Sequence, residues 1–390
     1  MKFSWNTHLK MNLLRLKYYF LWLTIILPAT MIVHPSYSQK VNCWNIFRGD
    51  QALTGTSVFE FPVTPEILWK YKVDDEIKSS PVSCHDKIII GSGDGFVYCL
   101  DLNGKLIWKF SSENSIEAPA LILEDNVYVG NLDGSLFSLN INTGHKNWVY
   151  QTDNQISGSP NYWRIGDKWY ILVGSYDYNL HCVDARSGKV KWKYESDNFI
   201  NGAAACQAGV AVFGGCDGFL HLVDINTGTL HKKIGVATYV AASAALSGNY
   251  AFVGDYDGMF TCVDLKNQKI MWQWRDETTN LPFLASPSVF KDRVLIGNDN
   301  KYTYCFDKLT GELIWKFNTG SRVEASTVVS ANKVLVANMR GDLFILDMGN
   351  GKELWSYEVG TPIYGTPAVL KDKFIIATMD GYIYCFGLKN

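Results

Sequence analysis

Eight times along the chain, a strand that closes on glycine or alanine runs into a tight turn, usually Asp-Gly. The clearest copies are Gly91-Ser-Gly-Asp-Gly-Phe-Val-Tyr-Cys-Leu-Asp101, Gly214-Gly-Cys-Asp-Gly-Phe-Leu-His-Leu-Val-Asp224 and Gly254-Asp-Tyr-Asp-Gly-Met-Phe-Thr-Cys-Val-Asp264. The copies open at Gly91, Gly130, Gly174, Gly214, Gly254, Gly297, Ala337 and Ala377, so the spacings are 39, 44, 40, 40, 43, 40 and 40 residues. A fixed period near forty means one supersecondary unit repeated in tandem, and it constrains the architecture before any single residue is weighed.

Residues 77–110 serve as the template unit. Strand A is expected over Ile77–Ser83, strand B over Lys87–Gly91, strand C over Phe96–Asp101 and strand D over Leu106–Phe110. Asp94-Gly95 and Asn103-Gly104 separate short runs rich in Val, Ile, Tyr, Phe and Trp, a strong hairpin signature in which both central positions are expected at positive φ. Four antiparallel strands per forty residues make a propeller blade. The fold class is therefore all-β, an eight-bladed β-propeller over residues 67–390. The last copy ends after its strand C, while Thr64–Tyr71 matches Thr310–Phe317. The N-terminal strand 67–73 is expected to complete blade eight and close the ring, which removes the open edges of the array.

Strand D carries Trp69, Trp108, Trp148, Trp192, Trp272, Trp315 and Trp355, read as blade-packing residues. The fourth copy has Lys232 instead. Five of the nine cysteines (Cys99, Cys182, Cys262, Cys305, Cys385) share one repeat position and read as a small buried site. Cys206 and Cys216 flank a strand pair, where a bridge is the alternative to two free thiols. No Cys-x-x-Cys occurs, and the histidines lack metal-ligand spacing.

Residues 1–38 read as a signal peptide. Lys10, Arg15 and Lys17 precede the apolar run Tyr18–Val33, and Ser36-Tyr37-Ser38 follows. Met11 is an alternative start, and a retained anchor is the second reading. Cys43 follows Lys40-Val41-Asn42, a poor match to a lipoprotein box. Residues 39–66 are a lead-in segment. The chain has 36 basic and 38 acidic residues, and residues 1–38 hold four basic residues and no acid, leaving 32 against 38. That balance provides no electrostatic footprint for nucleic acid.

The repeat [Gly/Ala]-x-x-Asp-Gly-x-x-x-Cys/Ala-Leu-Asp-x-x-Thr-Gly-x-x-x-Trp resembles that of the pyrroloquinoline-quinone (PQQ)-like propeller superfamily. Leu136–Trp148, Val183–Trp192 and Phe306–Trp315 carry its second half. Trp44-Asn-Ile-Phe-Arg-Gly49 is similar to an opening found in exported members. The resemblance implies one of two classes. Quinoprotein dehydrogenases bind PQQ and calcium in a central funnel, whereas non-catalytic BamB-like propellers belong to outer-membrane assembly. Length, export signal and blade count favour the second class. The expectation is a monomeric, non-catalytic module in the periplasm or cell envelope, holding a protein partner and no cofactor. A PQQ- and calcium-dependent oxidoreductase, or a sugar- or peptide-binding propeller, is the alternative.

Three observations bear on that choice. No vicinal Cys-Cys pair occurs. The repeated Asp94, Asp133, Asp177, Asp217, Asp257 and Asp380 fall in separate hairpins, where Asp accepts backbone N–H bonds. No nucleophile elbow or phosphate loop appears. Candidate funnel residues follow the opening of strand A: Lys78, Glu117, Asn201, Glu324 and Tyr364, with Arg322 nearby. The residue after each is small, which lets eight strands crowd at the axis. Two insertions break the period and offer candidate contacts, Trp163, Arg164 and Trp169 in one and Trp274 and Arg275 in the other.

Overall fold

The computed structural model describes residues 43–236 and 238–389. The proposed signal peptide, its alternative start and residues 39–42 of the lead-in lie outside the described residues. Eight antiparallel sheets follow one another, each ordered A–B–C–D from the inside out. In blade one these strands are Val82–Cys84, Lys87–Gly91, Phe96–Asp101 and Leu106–Ser111. Glu66–Lys72 pairs with Tyr382–Gly387 and supplies strand D of blade eight, so the two ends of the chain close the ring.

Strand A is shorter than the sequence implies. It covers Val82–Cys84, not Ile77–Ser83. Residues 77–81 run beside the axis outside any ladder, and Pro81 lacks the N–H a ladder needs. Serine hydroxyls bridge neighbouring blades there. Ser243 Oγ accepts from Ala203 N at 2.8 Å, Ser286 Oγ from Ser243 N at 3.1 Å and Ser326 Oγ from Ser286 N at 2.9 Å. A Cβ on Gly158 would meet the Gly202 carbonyl oxygen at 2.7 Å, so the axis tolerates only the smallest side chains.

The Asp-Gly hairpins also differ from expectation. Gly95 has φ +80°, whereas Asp94 keeps a negative φ. The turn holds because the Asp94 carboxylate accepts from Phe96 N at 3.0 Å and from the Tyr98 hydroxyl at 2.6 Å.

Each strand-D tryptophan stands opposite the repeated small position of strand C, as Trp108 does opposite Cys99 and Trp69 opposite Cys385. Its indole then reaches the next blade. Trp108 Nε1 donates to the Ile141 carbonyl at 2.9 Å, and the ring lies where a Cβ on Gly144 would be, at 2.7 Å.

The lead-in segment is part of the architecture. From residue 43 to 61 it meets the inner strand of blades one to seven in order and then the A–B turn of blade eight. Trp44 bridges Ser83 in blade one. Asn45, Gln51, Ala52, Thr54 and Gly55 offer carbonyls to the backbone N–H groups of Ile122, Cys206, Leu246, Val289 and Val329, at 2.7–2.9 Å. Gln51 Nε2 reaches the Tyr162 carbonyl in blade three, and Asp372 N of blade eight donates to Glu60. Thr56–Ser57 adds a parallel strand to blade seven. Strand A is the inner edge of each sheet and would otherwise present unpaired donors, which this belt satisfies.

Cys43 is disulfide-bonded to Cys84, a pairing the sequence reading did not contain. Cys206 and Cys216 are free. They cannot bridge because Cys206 lies at the A–B end of blade four and Cys216 at its B–C end.

Candidate functional site

The belt covers the end of the ring that bears the A–B and C–D turns. The opposite end bears the D–A connections and B–C turns, and it forms the mouth of the funnel. Each B–C turn is latched there to the connection beside it. Gly93 N donates to the Glu76 carbonyl at 2.8 Å, Tyr176 N to Gln155 at 3.0 Å and Asp299 N to Pro282 at 3.1 Å. These latches set the side chain at the second position after each copy's opening residue beside the funnel residues.

Lys78 and Glu117 form an ion pair at 2.8 Å, and Lys78 also meets Glu76 at 3.1 Å. The hydrogen bond it donates to Glu117 is the main reason the lysine is held above its ordinary range. Asn201 bonds the hydroxyl of Tyr176 and reaches that of Tyr239 at 3.3 Å. Arg322 lies 3.4 Å from Glu324 and 3.9 Å from Asp299. Burial raises both carboxyls, and the charge of Asp299 adds to the rise at Glu324. Asp299 Oδ1 is buried with no hydrogen-bond partner among the described residues. Tyr364 is 42% exposed, and its hydroxyl is raised by burial and then by Glu324 and Glu117.

Five of the six funnel candidates thus carry a short contact on this face, and Tyr364 joins them through electrostatics. Tyr176, Tyr239 and Asp299 escaped the sequence reading. Tyr176 and Asp299 occupy the variable position of the repeated phrase, where Gly93 and Leu132 stand in the first two copies. Variation inside an otherwise constant phrase was the available signal. Tyr239 lies on a connection and left no such mark.

The insertion residues are partly committed to their own hairpins. Trp169 Nε1 donates to Glu124 at 2.9 Å and its ring meets Tyr162, while Arg164 lies over it at 5.5 Å. Trp163 packs against the core beneath blade three. Trp274 packs on Tyr304 and Phe306 at 4.8 and 4.9 Å. Arg164 and Arg275 are the exposed members.

Two buried histidines stand elsewhere in the repeat. His221 lies between Asp217 and the Tyr194 hydroxyl, each at 2.9 Å. His181 repeats the arrangement between Asp177 and Tyr150 one blade earlier. Both make structural hydrogen bonds across blade boundaries. Among the described residues, no three His, Cys, Asp or Glu side chains group to hold a metal.

This architecture defines an eight-bladed β-propeller of the PQQ-like repeat type. In sequence, the chain belongs to the family described as outer membrane protein assembly factor BamB, whose family model matches residues 62–274 and 299–387. No curated protein sequence matches it. Among solved structures it is similar to BamB from Moraxella catarrhalis, with 18% identity and a TM-score of 0.71, covering 84% of this chain and 98% of that one. It is also similar to quinohemoprotein alcohol dehydrogenase from Comamonas testosteroni, at 14% identity and a TM-score of 0.74, covering 90% of this chain and 81% of that one. A europium-containing methanol dehydrogenase matches at 12% identity with a TM-score of 0.73, covering 89% of this chain and 98% of that one. At such identities the likeness is one of fold, which both binding proteins and enzymes share.

Proposed function

We propose that the chain is a non-catalytic binding module of the cell envelope that holds a protein partner at the funnel mouth. The observation that carries this reading is the Asp299–Arg322–Glu324 group. A buried acceptor, Asp299 Oδ1, has no hydrogen-bond partner among the described residues and stands beside an arginine that is 54% exposed. An unmet acceptor next to an accessible charge suits a polar partner that brings a donor of its own. Membership in the BamB family supports an envelope role. The Cys43–Cys84 bond supports an oxidising compartment, where disulfides persist. No helix among the described residues is long and apolar enough to cross a membrane.

The donor set at the mouth does not fit PQQ with calcium. Calcium takes six to eight oxygen ligands. Here Glu117 is paired with Lys78, and Arg322 sits against both Glu324 and Asp299.

The test is affinity purification from the native envelope with the parent chain and an Arg322→Glu variant. Recovery of an outer-membrane assembly protein by the parent, lost in the variant, supports the reading. Stoichiometric binding of PQQ and calcium in calorimetry would overturn it.

A further inference from the structure

The boundary between blades four and five breaks the repeat at two positions that face each other, one in each blade. At six boundaries the strand-D indole donates to a backbone carbonyl of the next blade, with Trp69, Trp108, Trp148, Trp192, Trp272 and Trp315 reaching the carbonyls of Leu102, Ile141, Ala185, Ile225, Lys308 and Met348. The same indoles lie under Gly104, Gly144, Gly188, Gly228, Gly311 and Gly351, where a Cβ would meet ring atoms at 2.6–2.8 Å. Blade four has Lys232 in place of the tryptophan, opposite Leu222. Blade five has Gln268 in place of the glycine, and it too has a positive φ, of +54°. The glycine is dispensable there because no indole lies beneath it.

A cavity of about 340 Å³ occupies this boundary. Its floor includes Val212, Leu222, Leu246 and Leu265. Val212, Leu222 and Leu246 are buried. Its rim includes His231, Lys266 and Gln268, with the exposed Lys232 alongside. Leu265 is the residue whose carbonyl matches the acceptor used at those six boundaries. That carbonyl accepts no hydrogen bond among the described residues. The site therefore keeps an apolar slot and the acceptor for an indole N–H, while the chain's own indole is missing.

We propose that this slot docks the tryptophan side chain of an acidic segment of a partner protein. The partner's indole takes the place that the chain's own indole takes elsewhere, and its N–H meets the Leu265 carbonyl. The rim residues Lys232 and Lys266 select acidic flanks, since opposite charges at a rim steer encounter and suppress wrong partners. Leu222 sits where five other blades have cysteine and sets the depth of the slot. The slot opens on the belt side of the ring, away from the funnel mouth, so the proposal does not depend on the mouth binding a partner.

The test uses the full chain and a short peptide, acetyl-Asp-Glu-fluorotryptophan-Glu-Asp-amide, followed by fluorine NMR. Saturable broadening of the fluorine line is expected. The Lys232→Trp/Gln268→Gly variant restores the repeat's own pair, and it is expected to weaken peptide binding at least tenfold while melting no lower than the parent. Lys266→Glu, at an exposed position, is expected to weaken binding severalfold, which keeps the proposal testable if the double variant fails to fold. Arg322→Glu, at the other end of the ring, is expected to leave peptide binding unchanged. The proposal is overturned if the double variant binds as the parent does, or if a peptide with alanine for tryptophan competes equally. It is also overturned if N-acetyltryptophanamide alone binds as tightly as the peptide, which would make the slot a small-molecule site.

Discussion

The Arg48 guanidinium donates to the Thr327 carbonyl at 2.6 Å, across 279 residues of sequence. Its other terminal nitrogen donates to the Pro287 carbonyl and to Ser288 Oγ, at 2.7 and 2.8 Å. One fully buried side chain thus ties the N-terminal belt to blades six and seven. Burial lowers the guanidinium to about 9, with Asp50 opposing the shift, so it stays charged at neutral pH. Arg48→Met is expected to cost about 3 kcal/mol, because it leaves the buried Pro287 carbonyl unpaired and takes a charged donor from the Thr327 carbonyl and Ser288 Oγ, which keep only their bond to each other. Urea unfolding checks this, and an unchanged midpoint would mean that the belt is only loosely held.

The Cys43–Cys84 bond clamps the start of the belt to blade one, closing a loop with a sequence separation of 41. Its removal in Cys43→Ser/Cys84→Ser is expected to cost about 3 kcal/mol. Limited proteolysis should then cut within 43–61 before any blade strand. Cleavage spread evenly along the chain would contradict a clamping role.

Trp108 and Lys232 occupy the same repeat position with different consequences. Trp108→Ala removes a buried indole and its bond to Ile141 and opens space under Gly144. A loss of about 3–5 kcal/mol is expected. Lys232→Ala alters an exposed side chain and should stay within about 0.5 kcal/mol of the parent. Equal effects in thermal unfolding would refute the view that the fourth boundary has dispensed with its indole.

Acid should destabilise the fold through the buried His221 and through Asp177. Burial lowers His221 below its ordinary value of 6.5, while Asp217 pulls the other way. Its neighbours Lys233 and Asp197 add smaller opposing effects. The unfolded chain therefore takes up the proton first. The group's contribution is complete above 6.5 and falls as the pH drops from there toward the folded value. Asp177 acts lower on the scale. Burial raises it, but the hydrogen bond and charge of His181 outweigh that and hold it well below the usual carboxylate range. Its stability is present above the ordinary 3.8 and fades as the pH falls through the folded value. A lower urea midpoint at about pH 5.5 than at about pH 7.5 is expected, with a smaller difference in His221→Asn. An identical difference in that variant would assign the acid sensitivity to other groups.

The period near forty was legible because each blade repeats the same local rules. Short β-rich runs, turn residues and one packing tryptophan recur at set offsets, and each rule acts between residues close in sequence or one repeat apart. Closure by Glu66–Lys72 was legible for the same reason, as that strand carries the repeat's own Trp69 motif. The start of strand A was misplaced because the ladder begins only at Val82, after Pro81, a local signal that the repeat-based reading passed over, and because the chain before it runs beside the crowded axis.

The candidate site was legible only in part. Lys78, Glu117, Glu324 and Asn201 could be listed as axial by offset, with Arg322 nearby, but which of them pair could not, nor could the partners Glu76, Tyr176, Tyr239 and Asp299. Asp299 meets Arg322 through a B–C turn latched to a connection from the blade before it, so their proximity is a property of the ring.

The amino-acid sequence by itself determined eight blades, their strand order, their hairpins and the ring closure, because these follow from local turn chemistry and a repeated apolar pattern. Tertiary structure alone decided the course of residues 43–61, the Cys43–Cys84 bond, the buried Arg48 and the slot beside Lys232. Each depends on groups brought together only when the ring closes, where inner edges need hydrogen-bond partners and a missing indole leaves a space that no neighbour in sequence can reveal.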